Sequence, residues 1–134
     1  MKVSPYLQFN GNCAEAIAFY EKAFEAKAEI TRYKDAPPSE GYKPPPGTED
    51  FVMHASIALG DAVIMLCDLP PDMKSVSGDN VAVSLTMENA DQVKSCFNAM
   101  KEGGEVGMDL QETFWSKCFG SLEDKFGINW MLSI

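Results

Sequence analysis

The chain has 134 residues, of which 46% are hydrophobic and 23% charged, the composition of an ordinary folded domain rather than a disordered or fibrous chain. Its longest apolar runs, such as 62–67, are far short of the roughly 20 residues that span a bilayer, and residues 1–5 hold no apolar core of a signal peptide, so a cytoplasmic protein is expected. Eleven Lys and Arg stand against 20 Asp and Glu, a net charge of -9, which disfavours nucleic acid and anionic membrane surfaces as partners.

In chain order, a strand over 3–9 leads to a helix whose start is marked by Asn12 with Glu15 three places on, a capping-box pattern. Behind it Cys13, Ile17, Tyr20 and Phe24 recur at spacings of four, three and four and form one apolar stripe. A strand at 29–33 follows. The segment 35–50 holds five of the eight prolines and predicts an irregular excursion, either a solvated loop or a mobile lid. Strands at 51–59 and 62–67 flank the turn Leu59-Gly60-Asp61, and 68–79, with Pro70 and Pro71, reads as a linker.

The pattern then repeats. A strand at 81–87 precedes a helix starting at Asn89 and Gln92, with Val93, Cys96, Phe97 and Met100 on one face and Gly103-Gly104 as its stop. Strands at 105–110, 117–122 and 128–133 complete the half, with Asp124-Lys125-Phe126-Gly127 between the last two. Adding 77 to Asn12, Glu15, Tyr20 and Glu25 gives Asn89, Gln92, Phe97 and Glu102. The economical account is an α+β fold of two tandem βαβββ modules, 1–67 and 80–134, within a single domain over 1–134.

Few residues offer chemistry. The four cysteines, Cys13, Cys67, Cys96 and Cys118, form no CxxC pair and are expected as buried free thiols. His54 is the only histidine; strand alternation sets it opposite to Met53, Ala55, Ile57 and Leu59, where it is either a weak candidate for a base or a histidine hydrogen-bonded to backbone. Cys67 shares a face with Met65 and has only His54 as a possible activating partner. Phe114 and Trp115 could stack on a flat ligand or plug a core or dimer seam. Asp61 and Asp124 sit in turns, where local backbone hydrogen bonds account for them. No GxSxG, P-loop, HExxH or zinc-ribbon spacing is present.

The runs Pro5-Tyr6-Leu7-Gln8-Phe9-Asn10-Gly11-Asn12-Cys13, Val52-Met53-His54-Ala55, Thr113-Phe114-Trp115 and Asp124-Lys125-Phe126-Gly127-Ile128-Asn129-Trp130-Met131 resemble the PhnB-like branch of the glyoxalase/bleomycin-resistance/dioxygenase, or vicinal oxygen chelate, superfamily. The resemblance implies curved mixed sheets around a cleft, in a homodimer. In the metal-dependent enzymes of that superfamily, His, Glu or Gln from the first and last strands of each module hold the ion. Those positions fall here on Ser4 or Pro5, Met65, Ala82 and Met131, none a usual ligand for a hard or borderline divalent metal. Members of the branch have been labelled demethylubiquinone methyltransferases, but this chain has no GxGxxG and its length is filled by the two modules.

The expectation is therefore a metal-independent protein, without a cofactor, that binds a small, partly apolar molecule through Tyr6, His54, Met65, Cys67, Phe114, Trp115 and Met131. The alternatives are a lyase, isomerase or dioxygenase with a metal on relocated ligands such as His54, Glu112 and Asp68, or a structural dimerisation module.

Overall fold

The computed structural model describes residues 1–37 and 43–134, so the middle of the proline-rich excursion, and with it any lid there, lies outside the described residues. The chain divides into two compact units, Met1–Val76 and Ser77–Ile134. The first contains β1 (Tyr6–Phe9), α1 (Cys13–Phe24), β2 (Ala28–Arg32), a single 3-10 turn (Tyr33–Asp35), β3 (Val52–Leu59) and β4 (Ala62–Asp68). The second contains β5 (Val83–Thr86), α2 (Ala90–Met100), β6 (Glu105–Gln111), β7 (Phe119–Glu123) and β8 (Asn129–Ser133). Each is a βαβββ module with one four-stranded mixed sheet, ordered β1-β4-β3-β2 and β5-β8-β7-β6.

Topology follows from connection length. The short turns at Gly60 (φ 59°) and Gly127 (φ 85°) need left-handed backbone, which glycine supplies without steric cost, and they make β3–β4 and β7–β8 antiparallel hairpins. β1 and β5 pair in parallel with β4 and β8, closing each sheet on its last strand. α1 packs on β3 and β4, and α2 on β7 and β8.

One face of each sheet is consumed by the helix. In the first unit Leu7, Phe9, Ala55, Ile57, Ile64 and Leu66 are buried against Ile17 and Tyr20; in the second, Leu122, Trp130 and Leu132 are buried against Val93, Phe97 and Met100. The period-two alternation then sends Tyr6, His54, Ser56, Met65 and Cys67, and in the second unit Ser84, Ser121 and Met131, to the other face.

Three expectations are corrected. The Asn12 side chain makes no capping hydrogen bond; instead the carboxylate of Asp68, far along the chain, accepts from the N–H groups of Gly11 (2.9 Å) and Cys13 (3.0 Å), and through its other oxygen from Val52 (2.9 Å). The second helix does begin as its sequence predicts, with Asn89 Oδ1 accepting from the Gln92 N–H at 2.9 Å, while the Gln92 side chain reaches back to the Glu88 N–H. Strand β1 starts at Tyr6, not residue 3, because Pro5 has no N–H for the ladder, although its carbonyl still accepts from Met65 N. Strand β7 starts at Phe119, not 117, because the Ser116 hydroxyl engages both the N–H and the carbonyl of Cys118. All four cysteines are buried and free, as expected.

Candidate functional site

The open face of the first sheet carries a cluster that reaches across three strands. Tyr6 stands on β1, His54 on β3, and β4 lies between them. The Tyr6 Oη is 2.9 Å from His54 Nδ1, and the rings are 5.7 Å apart with a tilt of 56°. The phenol therefore spans β4. Gln8 on β1 is the register partner of Cys67, and the β3–β4 register, continued by one residue, sets His54 across from Cys67. The thiol thus lies under the Tyr6–His54 strap, which explains why Cys67 is only 8% exposed on a face where Tyr6 is 44% exposed.

The electrostatics follow from that enclosure. Partial burial, reinforced by the Cys67 thiol to which it is hydrogen-bonded, pushes the Tyr6 phenol up from 10.0 to about 12. Burial likewise pushes the Cys67 thiol up; its hydrogen-bonded contact with Tyr6 works against this and the neighbouring Asp68 adds to it. Both groups stay protonated at neutral pH, so Cys67 is a thiol held in a hydrogen-bonded cluster rather than a thiolate nucleophile.

Asp68 does not join this face. It is 3% exposed and its oxygens are taken by the N–H groups of Gly11, Cys13 and Val52. It is thus committed to backbone and is not free to serve as a relocated metal ligand beside His54. Among the described residues no three His, Cys, Asp or Glu side chains converge to hold a metal ion.

In the second unit the open face carries a cavity of about 310 Å³, lined by Ala82, Ser121, Asn129 and Met131 and bordered by Asp79, Glu105 and Glu123. That volume is at the lower end of small-molecule sites. Ala82 and Met131, two of the positions matched to superfamily metal ligands, both line it. The other two, Ser4 or Pro5 and Met65, lie in the first unit, where the Met65 N–H donates to the Pro5 carbonyl at 3.0 Å. Thioether and methyl groups at these places offer a soft weak donor or none, and do not fit a hard or borderline divalent ion.

Phe114 and Trp115 do not plug a core. Phe114 is 98% and Trp115 55% exposed, and they form an edge-to-face series with Phe119, with ring centroids 4.7 Å and 5.4 Å apart. Phe119 is two residues before Ser121 on β7, so the series continues the open face that carries Met131. Trp130 and Met131 point to opposite sides, as alternation requires: Trp130 is 1% exposed and Met131 42%.

The two modules share a methionine at the centre of their open faces with a serine on one side of it, and differ around that pair. Met65 lies between Tyr6 and Ser56, and Met131 between Ser84 and Ser121. Two residues outward, His54 corresponds to Phe119 and Cys67 to Ser133. The hydrogen-bonded cluster is thus peculiar to the first module.

This pair of βαβββ modules, each with a four-stranded mixed sheet, is that of a protein of the glyoxalase/bleomycin-resistance type, in its PhnB-like branch. The chain belongs to the family described as 3-demethylubiquinone-9 3-methyltransferase, whose model matches residues 1–133. It is 30% identical to protein YjdN of Escherichia coli, covering 100% of this chain and 95% of the relative. Among solved structures it is similar to protein PA1353 from Pseudomonas aeruginosa, with a TM-score of 0.86 and 33% identity over 99% of this chain and 96% of that one. The PhnB protein from Bacillus cereus has a TM-score of 0.76 and 27% identity, covering 99% and 98% of the two chains. At 12% identity and a TM-score of 0.66, with coverage of 99% and 90%, the fosfomycin resistance protein FosX of Listeria monocytogenes shares the fold.

Proposed function

We propose that the protein binds a small, partly apolar molecule without a metal ion. Tyr6, His54, Met65 and Cys67 would take part in the first unit, and Phe114, Trp115 and Met131 in the second. The observation that carries this reading is the fate of the four inherited ligand positions. Ser4 or Pro5, Met65, Ala82 and Met131 provide no imidazole or carboxylate, yet Ala82 and Met131 line a cavity of ligand size. A site that had simply decayed would be expected to fill with bulky side chains; a methyl group and a pliable thioether leave room.

The fold does not favour methyl transfer. A cofactor such as S-adenosylmethionine commonly rests on a Gly-rich turn of a doubly wound parallel sheet, whereas both sheets here are four-stranded and mixed and the β1–α1 turn carries one glycine. The resemblance to superfamily members also supports a homodimer as the working form.

The test is metal content of untagged protein by elemental analysis, with calorimetric titration of zinc, nickel, manganese and iron, followed by a thermal-shift screen of small molecules. Background metal and no titration heat, together with a rise in Tm for one chemical class, is the expected result. One tightly bound equivalent per chain overturns the metal-free reading, and a flat screen across a broad set favours the dimerisation module.

A further inference from the structure

We propose that Tyr6 sets the polarity of the site on the first sheet: its O–H donates to His54 Nδ1, which keeps the imidazole proton on Nε2 and makes His54 a donor toward an uncharged oxygen acceptor of the bound molecule, such as a ketone or amide carbonyl. This rests on the binding reading above and names the class of molecule that the first-unit face selects.

Tyr6, His54 and Cys67 can be joined in two directions. In one, the Cys67 S–H donates to the Tyr6 oxygen, Tyr6 donates to His54 Nδ1, and Nε2–H is left for a ligand. In the other, His54 Nδ1–H donates to Tyr6, Tyr6 donates to the Cys67 sulfur, and a bare Nε2 lone pair is left as a base. The choice turns on acceptor strength. An imidazole nitrogen is a strong acceptor and a thiol sulfur a weak one, so the single phenolic proton goes to the nitrogen, 2.9 Å away.

The charge of the surroundings sets the rest. Register places Gln8, Glu29, Thr31, Ser56 and Met65 on the same face as Tyr6 and His54; Arg32, paired with Val52 beyond a bulge, stands at its rim, where the guanidinium donates to the Asp50 carbonyl at 2.7 Å. An anion would find beside His54 only the rim guanidinium of Arg32, already engaged with the Asp50 carbonyl, and would meet Glu29. A cation has no use for an N–H donor. An uncharged carbonyl compound can take the Nε2 proton and lay its apolar body on Met65.

Because His54 is the only histidine, long-range ¹H–¹⁵N correlation of its ring reads the tautomer without ambiguity. The expected spectrum of the wild-type protein above neutral pH has Nδ1 bare and hydrogen-bonded and Nε2 protonated. Tyr6→Phe, conservative at a half-exposed ring, is expected to shift the Nδ1 resonance toward the non-hydrogen-bonded position and to lower the Nε2–H fraction. A protonated Nδ1 in the wild type overturns the proposal, as do ring nitrogens unmoved by Tyr6→Phe. Acetophenone, benzoate and anilinium, which share one ring, then test the class. Acetophenone is expected to perturb Nε2 and the Met65 methyl several-fold more than either ion at equal concentration. No response to acetophenone, or an equal response to an ion, overturns the acceptor-selecting role. The tautomer is read without any ligand, so failure of the binding reading and failure of the polarity are told apart.

Discussion

The carboxylate of Asp124 accepts the indole N–H of Trp130 at 2.8 Å, two groups that are 2% and 1% exposed. Its other oxygen accepts from the N–H groups of Phe126 (2.8 Å) and Ile128 (3.1 Å), so one side chain fixes the β7–β8 turn and orients the largest buried ring of the second unit. Since Trp130 and Met131 are neighbours on β8, the rotation that buries the indole is the one that turns Met131 to the open face. Asp124→Ala leaves a buried indole donor and two turn donors unsatisfied and is expected to cost about 3 kcal/mol. Asp124→Asn retains one acceptor oxygen but sets an amide N–H₂ among donors, and is expected to fall between. Urea denaturation with a common m-value checks the order; wild-type stability in Asp124→Ala would refute it.

Asp68 plays the corresponding part in the first unit, and a pair of variants separates it from the residue that the sequence pattern favours. Asp68→Ala strands the N–H groups of Gly11, Cys13 and Val52 and is expected to cost about 3 kcal/mol. Asn12→Ala removes no capping bond and should cost under about 0.5 kcal/mol, whereas Asn89→Ala removes a real one and should cost about 1 kcal/mol. Equal losses for Asn12→Ala and Asn89→Ala in thermal denaturation would contradict the assignment of the α1 cap to Asp68.

These two aspartates show where sequence reasoning reaches and where it stops. Periodicity is a local property, so the alternation in β3 and β4 and the stripe Val93, Cys96, Phe97, Met100 suffice to give the elements, the repeat and the faces on which His54, Met65 and Met131 lie. Asp124 is legible as a turn residue because two of its partners follow within four positions. Asp68 is not legible, because its partners at Gly11 and Cys13 are 57 and 55 residues away, and on its own it resembles a spare metal ligand. The Tyr6–His54 contact, 48 residues apart, fails for the same reason. Alternation puts both on one face, but only the strand order β1-β4-β3 reveals that a phenol can bridge the strand between them.

The buried thiols make stability fall with alkaline pH. Burial raises Cys13 and Cys67, and raises Cys96 from 9.0 to about 12; Tyr6 is raised from 10.0 to about 12. Each group keeps its proton longer in the folded than in the unfolded chain. The stabilisation is therefore whole below about pH 9, declines as the unfolded thiols ionise, and is lost as pH rises through the folded values near 12. Each such thiol contributes a slope of at most about 1.4 kcal/mol per pH unit. Denaturation midpoints are expected to be level from pH 7 to 8.5 and to drop steeply above pH 9, with Cys96→Ala less stable at neutral pH but visibly flatter above it. A Cys96→Ala curve parallel to the wild type would remove that thiol from the account.

The exposed edge of the second unit can be followed by its own fluorophore. The chain has two tryptophans, of which Trp130 is 1% and Trp115 55% exposed, so acrylamide, a neutral quencher indifferent to the net charge of -9, should report chiefly on Trp115. Trp115→Phe should abolish most of that quenching while changing stability by no more than about 0.5 kcal/mol, because the ring is largely solvated. If the series Phe114, Trp115 and Phe119 belongs to the binding face, a flat compound found in the thermal-shift screen protects Trp115 from acrylamide. Trp115→Ala then weakens its binding about five-fold, the loss of roughly 1 kcal/mol of aromatic contact. A compound that raises the Tm of wild type and Trp115→Ala equally, with quenching unchanged, would assign binding to the other open-face residues and leave Phe114 and Trp115 as an interaction edge for another chain.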